Sequence, residues 1–499
     1  MSRKPALAVL AAVVVAGCAT PESVTPSATL EEAAVPEGAA SVFHPLVANG
    51  TVRLATGVAP LALEIGHDAG EPTLGITPDG TIFYAALTFD NLCTPEVGTR
   101  RPCVPRTDIL RSVDGGSTWE DVTPAFPGGA VKMHPDTGDP YVYVDPVTGR
   151  VFDIDQRLLV TCHTVTYSDD LGETWSPDAA TCVGSVTADH HTIVAAKRRT
   201  ASPDLGYANV VVVCWNAAPS TTCSRSFDGG RTFVPAGRPF HADGPVPFTC
   251  GLNGHLKAAP DGTLYISQEC DGAVRVAAST DDAATWTSSD VGSYVVPDSG
   301  DPEYDPALAV DSSGTVYCVY EDSDGRLWLV WSSDQGSTWV EPIEILPSTL
   351  TVGHLPALAA GGPGRVVVAY MGSDTPEGYE TSEADEDEEI WHGYLEIIEG
   401  ILDGVPVATT TRIDPEDDPL VHGACGPSFR CPGAVDFLDV VVDADGRPWA
   451  AFVDACSAEC AAEVGSKNDQ SLGLVATFAT GPSLLANGTM LPPVHGATR

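Results

Sequence analysis

The sequence predicts an all-β chain arranged as a ring of four-stranded blades, a β-propeller, with seven blades favoured and six as the alternative. Two internal repeats predict it. One octapeptide is written five times: SVDGGSTW from Ser112, SDDLGETW from Ser168, SFDGGRTF from Ser226, STDDAATW from Ser279 and SSDQGSTW from Ser332. An apolar run closed by a turn occurs seven times, in units of roughly 50 to 85 residues that cannot bury both faces alone and must stack on neighbours.

Taken in order, the 499-residue chain opens with MSRKPALAVLAAVVVAGCAT, in which Arg3 and Lys4 precede a short apolar stretch. That stretch is too short to span a bilayer as a mature helix, so residues 1–17 read as an export signal. Its end, Val15-Ala16-Gly17-Cys18, resembles a bacterial lipobox. The resemblance implies lipidation of Cys18 and membrane contact through the lipidated N-terminus only, at the cell surface or in the periplasm. Residues 18–42, rich in Pro, Ser, Thr and Glu, read as a disordered tether. Residues 43–499 read as one propeller.

The seven strand openings are PTLGITPDGTIFYAA from Pro72, DPYVYVDPVTGRVFDID from Asp139, DHHTIVAAKR from Asp189, GHLKAAPDGTLYIS from Gly254, DPALAVDSSGTVYCVY from Asp305, GHLPALAAGGPGRVVVAY from Gly353 and DFLDVVVDADGRPWAAF from Asp436. The acidic stretch near 373–398 interrupts the sixth unit as an insertion, and Glu383 to Glu389 read as a solvated charge run. QSLGLVATFATG, from Gln470, reads as a closing strand. Pairing it, or TVRLAT near Thr51, into the terminal blade is expected to close the ring.

Each octapeptide has the chemistry of a tight turn. An Asp carboxylate accepts backbone N–H groups, a following glycine permits positive φ, and Thr with an aromatic residue begins the next strand. The fourth copy has Ala283 where the glycine stands, which implies strain of about 1 kcal/mol if the left-handed conformation is kept. These octapeptides resemble the Asp-box, or bacterial neuraminidase repeat, S-x-D-x-G-x-T-W of sialidases and many other propellers. The resemblance implies a sialidase-like propeller whose boxes are outer turns remote from the ligand site, and so scaffold.

With 25 Lys and Arg against 68 Asp and Glu, the formal net charge is −43. Such a surface repels nucleic acid and attracts cations, which argues against a nucleic-acid partner. Apart from Cys18, the cysteines fall mostly in close pairs, 93 with 103, 162 with 182, 214 with 223, 250 with 270, 425 with 431 and 456 with 460. Short loops of this kind suit disulfides in an oxidising compartment, and Cys318 is left as a buried thiol.

Polar residues gather at the strand openings: Asp139, Asp189, His190, His191, His255, Asp305, His354, Asp436 and Asp439. Ring symmetry brings such positions together in a funnel. His191, His255 and His354, with some of Asp139, Asp305 and Asp436, are therefore expected to converge, as metal ligands, acid and base, or partners of sugar hydroxyls. No cofactor is required; structural calcium is the favoured ion, from the Asp-rich DPEYD and DADG loops, ahead of a transition metal. Retaining sialidases use three arginines, a tyrosine nucleophile helped by a glutamate, and an aspartate. The Arg-Ile-Pro motif of that family is missing, Arg53 standing alone in its region, and Tyr304 beside Glu303 and Asp305 is the one weak nucleophile candidate. The sequence thus favours a glycan- or protein-binding funnel, with an exo-acting glycoside hydrolase and a structural scaffold as alternatives.

Overall fold

In the computed structural model the described residues are 41–46, 53–54, 58–89, 105–124, 137–157, 162–181, 189–202, 205–217, 221–240, 250–270, 272–293, 305–374, 390–423, 437–456, 471–485, 489–492 and 494. They are strands and turns without a helix. Seven antiparallel sheets of four principal strands follow one another, a seven-bladed β-propeller. Their inner strands are Thr73–Ile76, Thr137–Val144, Asp189–Lys197, the pair Cys250–Asn253 and Lys257–Ala258, Ala307–Val310, Val352–Ala360 and Asp439–Val442, for blades one to seven. The second strand of each blade is the buried one: Asn209–Asn216 and Leu264–Cys270 are covered on both faces almost throughout. Their Val, Ile, Leu and Tyr side chains pack between adjacent sheets, so the core is a series of interfaces between blades.

Blade seven is completed by the two distant ends of the propeller. Leu472–Thr480 pairs with Pro448–Asp454 on one side and with Ala59–Asp68 on the other. The expected C-terminal closing strand is thus in place, but its N-terminal partner is Ala59–Asp68. Arg53–Leu54, within TVRLAT, pairs instead with Ser41–Pro45, which extends the outer edge of blade six. The longer strand closes the ring, and the shorter segment stays peripheral. The signal segment, Cys18, residues 19–40 of the tether, and residues 375–389 of the acidic insertion lie outside the described residues, while Ser41 and Val42, expected as the end of the tether, belong to the strand Ser41–Pro45. The apolar end of that insertion forms part of the third strand of blade six, Ile390–Glu399.

All five octapeptides fold into one turn between the third and fourth strands. In the fifth, Asp334 Oδ1 accepts the Thr338 N–H at 2.8 Å, Oδ2 accepts its hydroxyl at 2.7 Å, and the Ser332 hydroxyl receives the Gly336 N–H at 2.9 Å. Hydrogen bonds from the Thr338 N–H and from the Ser332 and Thr338 hydroxyls hold the Asp334 carboxyl down at about 2. In the fourth copy Ala283 keeps the left-handed backbone, φ 60°, and its N–H still reaches Ser279 at 3.1 Å. The turn is kept and the strain is accepted.

The turns also join the blades. Arg111 donates to the Leu171 carbonyl at 2.7 Å, Arg150 to the Gly229 carbonyl at 2.7 Å and Arg225 to the Asp282 carbonyl at 2.6 Å, each reaching from one blade to the turn of the next. Trp175 donates to the Val122 carbonyl of the preceding blade at 2.7 Å. Disulfides join Cys214 to Cys223 and Cys250 to Cys270, each pair directly opposite in its sheet. Cys318 is a buried free thiol, which burial pushes well above its ordinary value. The remaining pairs expected from the spacing include residues outside the described set.

Two outcomes follow from these turns and interfaces. A methyl added at Gly336 meets only Trp339 at 3.7 Å and Tyr265 at 3.9 Å, whereas at Gly172 it meets the Val122 side chain at 3.0 Å. Gly336→Ala is expected to cost about 1–2 kcal/mol, the left-handed strain alone, and Gly172→Ala measurably more, in denaturant melts of the two variants.

The second outcome concerns His163, fully buried between blades two and three with its ring 4.3 Å from that of His191. Burial pushes its imidazole down to about 3, while the unfolded chain titrates near 6.5. Its contribution is complete above pH ~6.5 and is lost as pH falls from there toward 3, at about 1.4 kcal/mol per pH unit, because only the unfolded state takes up the proton. His163→Gln is expected to flatten the acid limb of a stability-against-pH curve by about that slope.

Candidate functional site

Each inner strand enters its sheet from the same end of the ring. In each blade one residue begins the uninterrupted ladder with the second strand: Thr73 with Ala85, Tyr141 with Ile154, Thr192 with Cys214, Lys257 with Tyr265, Ala307 with Val319, Ala357 with Ala369 and Asp439 with Ala451. Two residues earlier stand Glu71, Asp139, His190, His255, Asp305, Leu355 and Phe437. Four of these have positive φ, Glu71 at 47°, Asp139 at 49°, His190 at 47° and Leu355 at 53°. Ladder irregularities at Gly138/Tyr141, Asp189/Thr192 and His354/Ala357 accompany three of them. A left-handed residue next to a bulge bends the strand and re-aims the side chains on either side of it.

Side chains from opposite blades meet there. The Phe437 ring of blade seven lies 5.1 Å from His190 of blade three and 5.2 Å from His255 of blade four, edge to face with both. The two imidazoles stack at 5.7 Å, and Tyr141 of blade two meets His255 edge-on at 4.8 Å. His190 Nε2 lies 3.8 Å from the Asp305 carboxylate. Asp139 accepts the His190 N–H at 2.7 Å, and Asn253 donates to the His190 carbonyl at 3.0 Å, which fixes the bulge.

His255 and Asp305 therefore converge as expected, with Asp139 in support, but two expected members do not. His191 is turned into the interface between blades two and three, its Nε2 at 3.1 Å from the Ile154 carbonyl and its ring against His163. The left-handed His190 has taken the axial place, since adjacent residues of a strand face opposite ways. His354 precedes another bulge and faces Glu321, with 3.0 Å between Nδ1 and Oε2. His190 and His255 are buried and packed together with the half-buried Asp305 and Asp139, whereas an open funnel was expected. Tyr304, Glu303 and Asp436 lie outside the described residues.

Beyond this layer, Lys257 and Asp439 act on each other from opposite blades. Burial lowers the Lys257 ammonium, opposed by Asp439, and raises the Asp439 carboxyl, opposed by Lys257. Asp439 also accepts the Leu74 N–H at 2.9 Å and so links blade seven to blade one. His255 is held neutral, first by burial and then by His190 and Lys257. Past the pair the channel widens into a cavity of about 600 Å³, lined by all seven inner strands, with aliphatic walls such as Val142, Val194, Leu256 and Val440. The exposed Val147 and Leu485 also border it. Sequence reasoning missed Phe437, Tyr141 and Lys257; the lysine within the otherwise apolar run HLKAA was the available signal.

Among the described residues no arginine lines this cavity. Arg111, Arg150 and Arg225 are used in the clasps between blades, and Arg199, Arg275, Arg326 and Arg365 form ion pairs with Asp261, Asp290, Glu344 and Glu399. In the DADG loop Asp443 commits one carboxylate oxygen to the Asp445 and Arg447 N–H groups and the other to the Trp449 indole.

A family model described as "Two component regulator propeller" matches residues 311–330. No curated protein matches the chain. Among solved structures, the chain is similar to a protein of unknown function from Dyadobacter fermentans, with 14% identity over 72% of this chain and 100% of that one and a TM-score of 0.42. It is similar to the intramolecular trans-sialidase of Ruminococcus gnavus, with 13% identity over 81% and 93% and a TM-score of 0.40. A xyloglucanase from Xanthomonas campestris shares 17% identity over 69% of this chain and 53% of its own, with a TM-score of 0.39.

Proposed function

We propose that the chain is an exported, lipid-anchored surface protein whose sialidase-like propeller, built on Asp-box turns, binds a cell-surface glycan or an exported protein through the axial channel. The lipobox-like Val15-Ala16-Gly17-Cys18 supports the anchor. The observation that carries the binding reading is the cavity of about 600 Å³, a volume suited to holding a ligand group, whose described lining offers no arginine for a substrate carboxylate. Its few polar groups, Asn209, Lys257, Asp311 and Asp439 among them, can orient a ligand whose apolar part meets the aliphatic walls. A glycoside hydrolase is the second reading, favoured by one observation, the Asp305 carboxylate beside an axial imidazole.

Glycan arrays and crosslinking at the cell surface test the first reading, with Ser312→Trp as the blocking variant. Ser312 is exposed and borders the cavity, so its indole is expected to weaken capture by roughly tenfold or more, about 1.4 kcal/mol, without loss of fold. Arrays and crosslinks that stay blank for the unaltered protein would reject binding. Hydrolysis of fluorogenic sialosides or other glycosides, abolished by Asp305→Asn, would reverse the order of the two readings.

A further inference from the structure

We propose that His190, His255 and Asp305 form a binding site for one first-row divalent metal ion, zinc by the chemistry of its donors. One ligand atom from each of the three lies within 4.8 Å of the other two. They come from blades three, four and five, so the site exists only when the ring is assembled. A tetrahedral ion with donors at about 2.0–2.2 Å holds them roughly 3.3–3.6 Å apart, so separations of up to 4.8 Å need to close by at most about 1.2–1.5 Å. The His190–Asp305 pair, at 3.8 Å, is nearly there already.

Two further observations point to a ligand at this place. His255 is more than nine-tenths buried, and its Nε2 has no hydrogen-bond partner among the described residues. A buried polar atom without a partner costs about 1–3 kcal/mol, which coordination removes. Two of the three ligands, His255 and Asp305, also border a gap of about 10 Å³ shared with Lys257 and Asp439 and not with His190, space for one water beside the ion.

The donor set selects the ion. Two imidazole nitrogens and one carboxylate suit zinc and its first-row neighbours, while calcium takes about six to eight oxygens. The structure also provides outer supports, with Asp139 and Asn253 holding the His190 backbone and Phe437 and Tyr141 fixing the ring planes. Three protein ligands leave the fourth position to water or to an oxygen of a bound molecule, as in sites that act on or capture ligands. Lys257 opposes a cation, but Asp439 acts on it, and the charge of −43 raises the local cation concentration.

The test uses untagged protein, exhaustively dialysed against chelator and titrated with zinc chloride or cobalt(II) chloride. One tightly bound ion per chain is expected, with a rise in melting temperature on zinc addition. The cobalt form is expected to show the intense visible bands of a four-coordinate N/O site. His255→Gln and Asp305→Asn are each expected to weaken binding at least about tenfold, while His354→Gln, outside the site, binds as the unaltered protein does. The proposal is overturned by any of three results: no zinc bound and no cobalt bands from the unaltered protein; His255→Gln binding as tightly as it; or His354→Gln losing the ion to the same extent. Should a variant fail to fold, titration and cobalt spectrum of the unaltered protein still decide.

Discussion

Everything in this propeller depends on closing the ring. A blade buries its faces only against two neighbours, so an open series of seven would leave two apolar sheets in water. Closure is noncovalent: Ala59–Asp68 and Leu472–Thr480 are far apart in the chain and share one ladder. Around the axis the same closure is repeated on a smaller scale. Asp439 accepts the Leu74 N–H, Thr73 accepts the Val142 N–H and Thr192 accepts the Leu256 N–H, so side chains at equivalent strand openings tie blade seven to one, one to two and three to four. At the rim, arginines of one blade bond the turn carbonyls of the following one. Axis and rim are thus pinned separately, and relative tilting of blades is resisted at both radii.

The strand openings carry the second constraint. For His190 to reach the axis while Ile193 and Ala195 stay in the interface with blade two, the chain needs an extra residue and a left-handed turn, and it has both at Asp189/Thr192. Strain at a non-glycine positive φ persists only when surrounding bonds over-determine it. Here the Asp139 carboxylate on the His190 N–H and the Asn253 amide on its carbonyl do so. The same conformation at Glu71, Asp139 and Leu355 makes it a property of the opening shared across blades.

What could be read in advance follows from range. The octapeptide turns were legible because every bond in them is local, within four residues, and the chemistry of Ser, Asp, Gly and Thr specifies it; even Ala283 was readable as a strained member. Seven blades were legible because the openings repeat. The closing strand was only half legible, since Ala59–Asp68 and the region of Arg53 are both β-prone runs and only the assembled ring distinguishes them. The axial residues were legible as a set and misread individually: a bulge shifts alternation by one, and nothing in DHHTI says which histidine it favours. Phe437 was invisible for a different reason. An aromatic residue in an apolar run looks like core, and here it is core, placed on the axis.

The layer between the two halves of the channel shows what kind of recognition the fold can support. Asp439 is buried and Lys257 half-buried, and each acts on the other's charge across the channel; an arrangement of this kind adds little net stability, because desolvation consumes most of the attraction. Stability is therefore a weak reason for its presence. Its position supplies a better one: it separates an aliphatic cavity of about 600 Å³ from a packed layer of imidazoles and carboxylates. A ligand group descending the cavity would meet apolar walls first and a charged floor last, so only a group with a polar tip gains from reaching the bottom. At that floor the Asp439 carboxylate is held by the Leu74 and Val440 N–H groups, which reduces the ordering cost of binding. An amphipathic group fits that arrangement, its apolar part against the walls and its polar tip at the floor.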